Sequence, residues 1–471
     1  MESVEQIIKF ASEIMWGVPL IVLLVGTHVY LTIRLRFPQR YLWKAIKLSF
    51  AKEKGSKGDV SAYGALFTAL AATIGTGNIV GVSTAVALGG PGAVFWCWLT
   101  GVFGIATKYS EALLAVKFRV KTEKGEMLGG PMYALERGLH CKWLAVLFCI
   151  FTFLAAFGIG NMVQANAASQ LLYTNYAVPE YITGIVMAVL TALVVFFGVK
   201  GIAKTCTLIV PVMALFYVGS CIVILCINSS YIGDALCLIV KAAFNPQAAG
   251  AGFVGGTLAM TIRYGVSRGL FSNESGMGSA PIVAAAAKSR NPVRQALVSS
   301  TGTFWDTVVI CALTGLVVVS TMLAHPEINS KEGTELISVA FNSIPHVGTL
   351  ILTIGLFSFA FSTILGWSYY SEKAIEYLGG SHTIRYYYVM WVIAIFAGSV
   401  LQLKVVWNFA DCMNALMVIP NLISLLLLSD VLTKETSKYL WNNRLDKWNN
   451  SEMHISLMDH EKQLRKIFKG K

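Results

Sequence analysis

Eleven long apolar stretches divide the sequence, and polar or glycine-rich segments separate them. Each stretch has about 20 residues, the length that a helix needs to cross roughly 30 Å of hydrocarbon. The predicted spans are residues 16–34, 62–86, 92–117, 143–170, 181–199, 206–227, 253–286, 296–322, 346–369, 386–403 and 406–428. The pattern therefore predicts an all-α polytopic membrane protein with eleven transmembrane helices.

Composition excludes the main alternatives to a membrane protein. The 471 residues are 55% hydrophobic and 13% charged, which is about half the charge of a typical soluble domain. A soluble enzyme, a disordered chain and a collagen-like fibre are all excluded on these grounds. The nine cysteines have neither metal-ligand nor disulfide-framework spacing, so no cofactor is expected. No small-residue cleavage site follows the first apolar stretch, so we expect it to remain as a span.

The basic residues indicate how the chain is oriented. Of the 37 lysines and arginines, 31 fall in six clusters that the predicted spans place on one side of the membrane. The positive-inside rule then puts the N-terminus outside and the C-terminal tail in the cytoplasm. The net charge of +12 thus reflects membrane orientation, and no nucleic-acid partner is needed to explain it.

Two spans are interrupted by glycine-rich polar sequence, at residues 75–78 and 267–278. Each opens a set of five spans, and because five is odd the two sets begin on opposite sides. This arrangement is typical of an inverted 5+5 repeat whose paired broken helices form a midplane site. The expected units are an extra N-terminal helix with a basic cytoplasmic loop (1–61), the first repeat (62–227), an extracellular connection (228–252), the second repeat (253–428) and a basic cytoplasmic tail (429–471). Residues 228–252 and 323–345 are either gating helices or simple connections.

The first interruption has the composition of a ligand site. Gly75 and Gly77 flank Thr76, so unwinding the helix there costs little free energy. Unwinding frees backbone N–H groups that bind a carboxylate, and it frees carbonyls that bind a cation. Close helix packing is the alternative explanation for the glycines, but it does not require the polar side chains of Thr76 and Asn78. Thr73, directly before the break, is a further candidate.

The second interruption contains Arg263, Arg268 and Glu274, which are costly at bilayer depth unless they are paired. Glu274 is either a proton site or, as we favour, a structural group that satisfies backbone atoms released at the break. Phe271 either forms the wall of a small pocket or packs in the core. Asp306 and Asp411, also at depth, are interpreted as structural ion pairs or caps.

Two further spans carry polar stripes. Ser358, Ser362 and Gly366 recur every fourth residue, and Thr363 and Trp367 lie beside them. Hydroxyls are neutral ligands for a hard cation, although in a span they commonly bond back to their own helix. Asn161 and Gln164 lie one turn apart and either join helices or bind a polar substrate.

Five motifs together resemble the alanine or glycine:cation symporter family, AgcS. They are GTGNIVG (75–81), GGPGAVFWCW (89–98), ATKYSE (106–111), NESGMGSAP (273–281) and FSTILGWSYYSEK (361–373). The resemblance spans all the predicted core helices and leaves out only the basic tail after about residue 430.

The resemblance implies a LeuT-like fold with one additional helix, and transport of alanine or glycine with sodium. It implies that Thr76 and Gly77 hold the substrate carboxylate, that Gln164, Thr363 and Trp367 line the pocket, and that Phe271 and Asn273 contribute from the second broken helix. Sodium, as the coupling ion, would bind the carbonyls of Ala71 and Ile74 and the hydroxyls of Ser362 and Thr363.

The expected function is therefore import of a small neutral amino acid with sodium by alternating access, with a monomer as the working unit in the lipid bilayer. The nearest rival is a proton-coupled transporter that uses Glu274. A channel would leave the two broken helices unexplained. A membrane-embedded enzyme would need clustered histidine, aspartate or cysteine in the spans, and the seven histidines are scattered towards ends and loops.

Overall fold

The protein is mostly helical. The computed structural model describes residues 10, 15–51, 56, 58–122, 125–245, 257–326, 332–401 and 404–448. The basic tail predicted at 429–471 is described only as far as residue 448, and part of the connection at 228–252 also lies outside the described residues.

Eighteen helices and one two-stranded sheet follow each other along the described part of the chain. The helices up to the sheet are α1 (Val18–Arg34), α2 (Pro38–Ser49), α3 (Ala62–Thr73), α4 (Gly77–Gly89) and α5 (Gly92–Lys117). The sheet pairs β1 (Val120–Lys121) with β2 (Met127–Leu128) in antiparallel register. The remaining helices are α6 (Pro131–Tyr133), α7 (Lys142–Tyr176), α8 (Glu180–Val195), α9 (Gly198–Ile227), α10 (Ile232–Phe244), α11 (Leu258–Asn273), α12 (Pro281–Ala285), α13 (Pro292–Ala324), α14 (Gly333–Asn342), α15 (Gly348–Gly379), α16 (Ile384–Val400), α17 (Lys404–Leu427) and α18 (Ser429–Thr436).

Several of these helices contain or adjoin irregular turns. Segments of π-helix occur at Gly77–Gly81, Ala134–Gly138, Ala156–Met162, Phe304–Cys311 and Ser437–Trp441, and short 3-10 turns at Pro38–Tyr41, Ser229–Tyr231 and Ser381–Thr383. Such π segments frequently mark functional regions of a helix. Here the segment in α4 belongs to the first broken helix, and the segment in α13 packs against α4 and α11.

Length and apolarity identify six helices that can each cross a membrane, and up to eight when bent pairs are counted as one span. The bent pairs are α1 with α2, at 63°, and α3 with α4, at 54°. Every one of the eleven predicted spans coincides with a helix or a broken pair of helices. Multiple spans are therefore clear, whereas the number eleven stays a prediction.

The first predicted interruption is present. Helix α3 ends at Thr73 because Ile74 has an extended backbone, with φ −77° and ψ 91°. The helix resumes at Gly77, so residues 74–76 form the break. Backbone groups at the break are thereby removed from the helical hydrogen-bond ladder.

The second interruption is shorter than predicted. Residues 267–273 remain helical, and the Glu274 N–H still donates to the Leu270 carbonyl. The chain leaves the helix at Glu274, where φ is +53°, and Gly276 and Gly278 follow with φ of +91° and +85°. These three left-handed residues, rather than the polar sequence before them, make the break, because a left-handed backbone cannot continue an α-helix.

The two broken helices lie in one group with α5 and α13. Helix α5 packs against α11 and α13, and α3 packs against α9 and α15. The segments predicted as gating helices or connections contain helices α10 and α14. Helix α10 covers α5 and α13, while α14 covers α4 and α15.

Candidate functional site

Four oxygen atoms meet beside the first break. The Thr363 hydroxyl lies 3.2 Å from the Ala71 carbonyl oxygen and 3.4 Å from that of Ile74. The Ser362 hydroxyl lies 3.4 Å from the Ala71 carbonyl oxygen. These separations exceed the usual 2.7–2.8 Å of an O–H···O hydrogen bond. All four residues are buried, so the cluster offers a hard cation a dry set of neutral oxygens.

Helix α15 supplies both hydroxyls because it approaches the break very closely. A Cβ atom on Gly366 would lie 2.6 Å from the Ala72 nitrogen, so only glycine permits this contact. Ser358, the third member of the predicted stripe, is half-buried and donates back to the Ile354 carbonyl at 2.7 Å. The Ser362 hydroxyl also donates to its own helix, at the Phe359 carbonyl (2.9 Å), but it lies with Thr363 on the side that faces the break, whereas Ser358 does not.

On the opposite side of the break, backbone N–H groups are held by amide side chains. The Gly75 N–H donates to Asn78 Oδ1 at 2.9 Å, and the Thr76 N–H donates to Gln164 Oε1 at 3.4 Å. A Cβ on Gly77 would lie 3.1 Å from the Phe271 ring, so the aromatic ring covers this turn. Thr76, Gly77, Gln164 and Phe271 are thus brought together, as the resemblance implies.

Trp367 lies on α15 one helical turn after Thr363 and is buried against α7. Its side chain is 1% exposed and packs so tightly on α7 that a Cβ on Gly160 would lie 2.4 Å from it. Its ring also contacts Tyr370 edge-on. A large buried ring therefore packs α15 against α7.

Asp306 joins the two broken helices. Its carboxylate accepts hydrogen bonds from Asn78 Nδ2 at 2.7 Å, from Ser272 Oγ at 2.9 Å and from Thr307 Oγ1 at 2.6 Å. The prediction allowed either an ion pair or a cap. In the described part of the chain no basic side chain lies within 4 Å of it, so it forms no ion pair there and instead joins the helices by hydrogen bonds.

Glu111, on α5, satisfies the backbone at the second break. Its Oε1 atom accepts from the N–H groups of Gly276 (3.1 Å) and Gly278 (2.9 Å) and from Asn421 Nδ2 (2.7 Å). This is the structural task that the sequence suggested for Glu274, whose carboxylate instead accepts from Ser279 Oγ at 2.5 Å. Sequence reasoning missed Glu111, although an acidic residue inside an apolar run was a usable signal.

Lys108 is an exception among the 31 basic residues that the sequence assigns to one side of the membrane. It is 3% exposed within α5, and its ammonium donates to the Asn273 carbonyl at 2.8 Å. A small cavity beside it is also lined by Thr73 and Ser299. The Asn273 side chain faces the protein rather than open space: its Oδ1 accepts from the Ser275 N–H at 2.9 Å.

The two polar residues of α7, Asn161 and Gln164, have different partners. Asn161 Nδ2 donates to the Trp391 carbonyl at 2.9 Å and so joins α7 to α16. Gln164 reaches the first break. Both amides therefore join helices in this structure, and binding of a polar substrate by Gln164 stays a prediction.

Helices α3 and α12, one from each broken span, also meet at the ends that adjoin the basic segments. We call these two helices the inner halves of the broken spans. Val60 pairs with Ala287 in a parallel bridge, and the Lys288 N–H donates to the Val60 carbonyl at 2.8 Å. Asp59, beside this bridge, accepts from the Met127 N–H at 2.8 Å, and burial raises the pKa of its carboxyl. Backbone contacts thus hold the inner halves together in this conformation.

Comparison with known proteins adds a family match over nearly the whole chain. The model of a family described as the sodium:alanine symporter family matches residues 1–453. A protein of Methanococcus maripaludis named sodium/alanine symporter AgcS is 50% identical over 441 residues, which is 92% of this chain and 96% of the relative. An uncharacterized transporter of Haemophilus influenzae is 47% identical over 454 residues, covering 96% of this chain and 99% of the relative.

Among solved structures, the crystal structure of MhsT in complex with L-phenylalanine is similar in fold. The TM-score is 0.57 at 14% identity, over 83% of this chain and 96% of that chain. At that identity the likeness establishes a shared LeuT-type fold and carries no information on the substrate.

Proposed function

This chain belongs to the sodium:alanine symporter family, and on that premise we propose that it imports alanine or glycine together with sodium. It is a multi-pass membrane transporter and not an enzyme. We further propose eleven spans in a 5+5 inverted repeat with α1 as the extra helix, the N-terminus outside, the C-terminus cytoplasmic, and a monomer as the working unit.

The observation that supports sodium coupling is the group of oxygens from Ala71, Ile74, Ser362 and Thr363. Two are backbone carbonyls freed by the break, and two are hydroxyls of a helix outside the broken pair. An ion bound there would link α3 to α15. Since neutral ligands leave the ion's charge uncompensated, the site responds to the membrane potential: one charge moving through 100 mV gains about 2.3 kcal/mol, or about 50-fold accumulation.

The substrate would bind at the opposite face of the same break. Backbone N–H groups of Thr76 and Gly77, at the start of α4, suit a carboxylate. Phe271, Gln164 and Trp367 limit the remaining space, which favours a hydrogen or methyl side chain. Alternating access then requires the inner halves to separate, which breaks the bridge between Val60 and Ala287.

The coupling ion can be tested directly with purified protein in liposomes. We expect labelled alanine to accumulate under an inward sodium gradient without a pH gradient, and not under a proton gradient without sodium. Uptake driven by protons alone would contradict the proposal and favour Glu274 as the carrier. Glu274→Gln separates the two cases further, because a proton carrier loses gradient-driven uptake on this change while retaining exchange.

Replacing Trp367 by alanine should admit larger amino acids. The change removes a buried ring that packs on α7 and leaves space for a longer substrate side chain. In an apolar pocket each additional methylene changes the binding free energy by about 1–3 kcal/mol. The measurement is competition of leucine and methionine against alanine uptake. Trp98→Ala, which removes the same ring from a half-exposed position, is the matched control. Unchanged competition in Trp367→Ala would rule out Trp367 as the wall.

A further inference from the structure

Helix α2 presents a basic and aromatic face that nothing in the described chain covers. Ala45 and Ser49 are buried against the protein, on the opposite side of the helix. The exposed positions recur with helical spacing and therefore form one stripe. We call this stripe the α2 face, and it consists of Arg40, Trp43, Lys44, Lys47 and Phe50.

The α2 face has two flanks. At 100° per residue, Arg40, Lys44 and Lys47 fall along one flank, and Trp43 and Phe50 fall along the other. Trp43 is 70% exposed and Phe50 is 65% exposed. Aromatic rings beside lysine and arginine, on a helix with a buried opposite side, are the arrangement of helices that lie in the membrane interface.

The turn before α2 fixes the direction of the helix. Arg36 and Phe37 both have a left-handed backbone conformation, with φ of +57° and +56°. Residues other than glycine adopt this conformation only at a cost in free energy. Gln39 holds the turn by donating to Thr32 Oγ1 at 3.0 Å and to the Val102 carbonyl at 3.1 Å. Helix α2 is therefore set at 63° to α1, which contains the first predicted span.

The charges of the α2 face are not neutralised by the protein. Within the described residues no carboxylate lies within 4 Å of Arg40, Lys44 or Lys47. Neighbouring Arg34, by contrast, pairs with Asp430. The Lys47 ammonium lies 5.9 Å from the Trp43 ring, so charge and aromatic surface remain side by side and open to an external partner.

We propose that the α2 face binds the anionic headgroups of phospholipids, with Arg40, Lys44 and Lys47 on the phosphates and Trp43 and Phe50 at the acyl boundary. Charge complementarity selects anionic over zwitterionic lipid. The aromatic flank favours a bilayer over dissolved phosphate, because acyl chains can bury the exposed indole and a free anion cannot.

Lipid bound there also touches the transport machinery. Phe50 contacts Tyr63 on α3, with ring centroids 5.7 Å apart, and the tilted rings of Tyr63 and Phe67, one turn further, have centroids 4.2 Å apart. Helix α3 is the inner half that ends at the Ala71 and Ile74 carbonyls. The α2 face is therefore linked by side-chain contacts to the helix that must move for release.

The test uses the full chain in phosphatidylcholine vesicles that contain phosphatidylglycerol. Two vesicle preparations are compared, with bromine either on the phosphatidylglycerol or on an equal mole fraction of the phosphatidylcholine. Bromine quenches indole fluorescence, so the quenching reports which lipid lies near a tryptophan. The difference between the wild-type chain and Trp43→Phe isolates the Trp43 signal. We expect brominated phosphatidylglycerol to quench Trp43 several-fold more effectively, and added salt to reduce the preference.

A triple variant, R40Q/K44Q/K47Q, should lose the preference, because each basic residue contributes about fivefold to anionic-lipid association. The matched control K204Q/R385Q/K434Q removes three exposed charges elsewhere and should keep it. Equal quenching by the two brominated lipids in the wild type would overturn the proposal, as would an equal loss in the control. Both readouts are independent of transport, so their failure is distinct from failure of the proposed function. The wild-type salt series decides the question even if the triple variant does not fold.

Discussion

Replacing Thr363 by valine is expected to raise the sodium concentration for half-maximal uptake about tenfold to 100-fold. The change keeps the shape of the side chain and removes the one hydroxyl that faces both the Ala71 and Ile74 carbonyls. A hydrogen-bonding group next to a charge contributes about 1.5–3 kcal/mol, which gives this range. The measurement is initial alanine uptake against sodium concentration in liposomes at a fixed membrane potential.

Two control variants keep this result interpretable. Thr363→Ser retains the hydroxyl and should retain most sodium affinity. Ser358→Ala removes an exposed hydroxyl from the same helix and should change nothing, because that group bonds only to its own helix. If Thr363→Val and Ser358→Ala have the same sodium dependence as the wild type, Thr363 is not an ion ligand.

Replacing Glu111 by alanine is expected to abolish uptake and to lower thermal stability strongly. Three buried donors, the N–H groups of Gly276 and Gly278 and the Asn421 amide, lose their acceptor. Each unsatisfied buried group costs about 1–3 kcal/mol, so the total is on the order of 5 kcal/mol. The measurements are thermal unfolding of the purified protein and alanine uptake.

Glu111→Gln distinguishes the acceptor role of the side chain from its charge. Glutamine keeps one oxygen for the backbone N–H groups, so we expect a smaller loss of stability than in Glu111→Ala. Glu180→Ala, at the first turn of α8, controls for loss of any glutamate and should leave both measurements near wild type. If Glu111→Gln loses as much stability and uptake as Glu111→Ala, the negative charge of Glu111 is the essential feature. If Glu111→Ala keeps wild-type stability and uptake, Glu111 does not have the proposed role of accepting these hydrogen bonds.

The periodic apolar pattern was sufficient for the positions of the helices. Within the described residues every predicted span overlaps a helix or a broken pair of helices, and the first break lies within two residues of Gly75 and Gly77. Length and hydrophobicity act on each segment separately, so they can be evaluated without knowing which segments pack together. The second break was placed too early because polar residues were taken to end the helix, whereas left-handed backbone at Glu274, Gly276 and Gly278 ends it.

The candidate site was predictable only in part. Glycines around Thr76 and hydroxyls at Ser362 and Thr363 are visible one segment at a time, and the resemblance related them to one another. Lys108 and Glu111 were not recognised, because their partners are backbone atoms more than 160 residues away, on the far side of a break. No local pattern specifies such a partner.

The sequence by itself determined that this chain crosses a membrane, where its helices lie and which two of them carry glycine-rich interruptions, because each of these properties follows from local composition and periodicity. Only the tertiary structure decided which polar groups meet: the hydroxyls of α15 with carbonyls of α3, Glu111 with the backbone after Glu274, and Asp306 with both broken helices. The physical reason is that a buried polar group must find a partner in three dimensions, and the choice depends on helix packing rather than on distance along the chain.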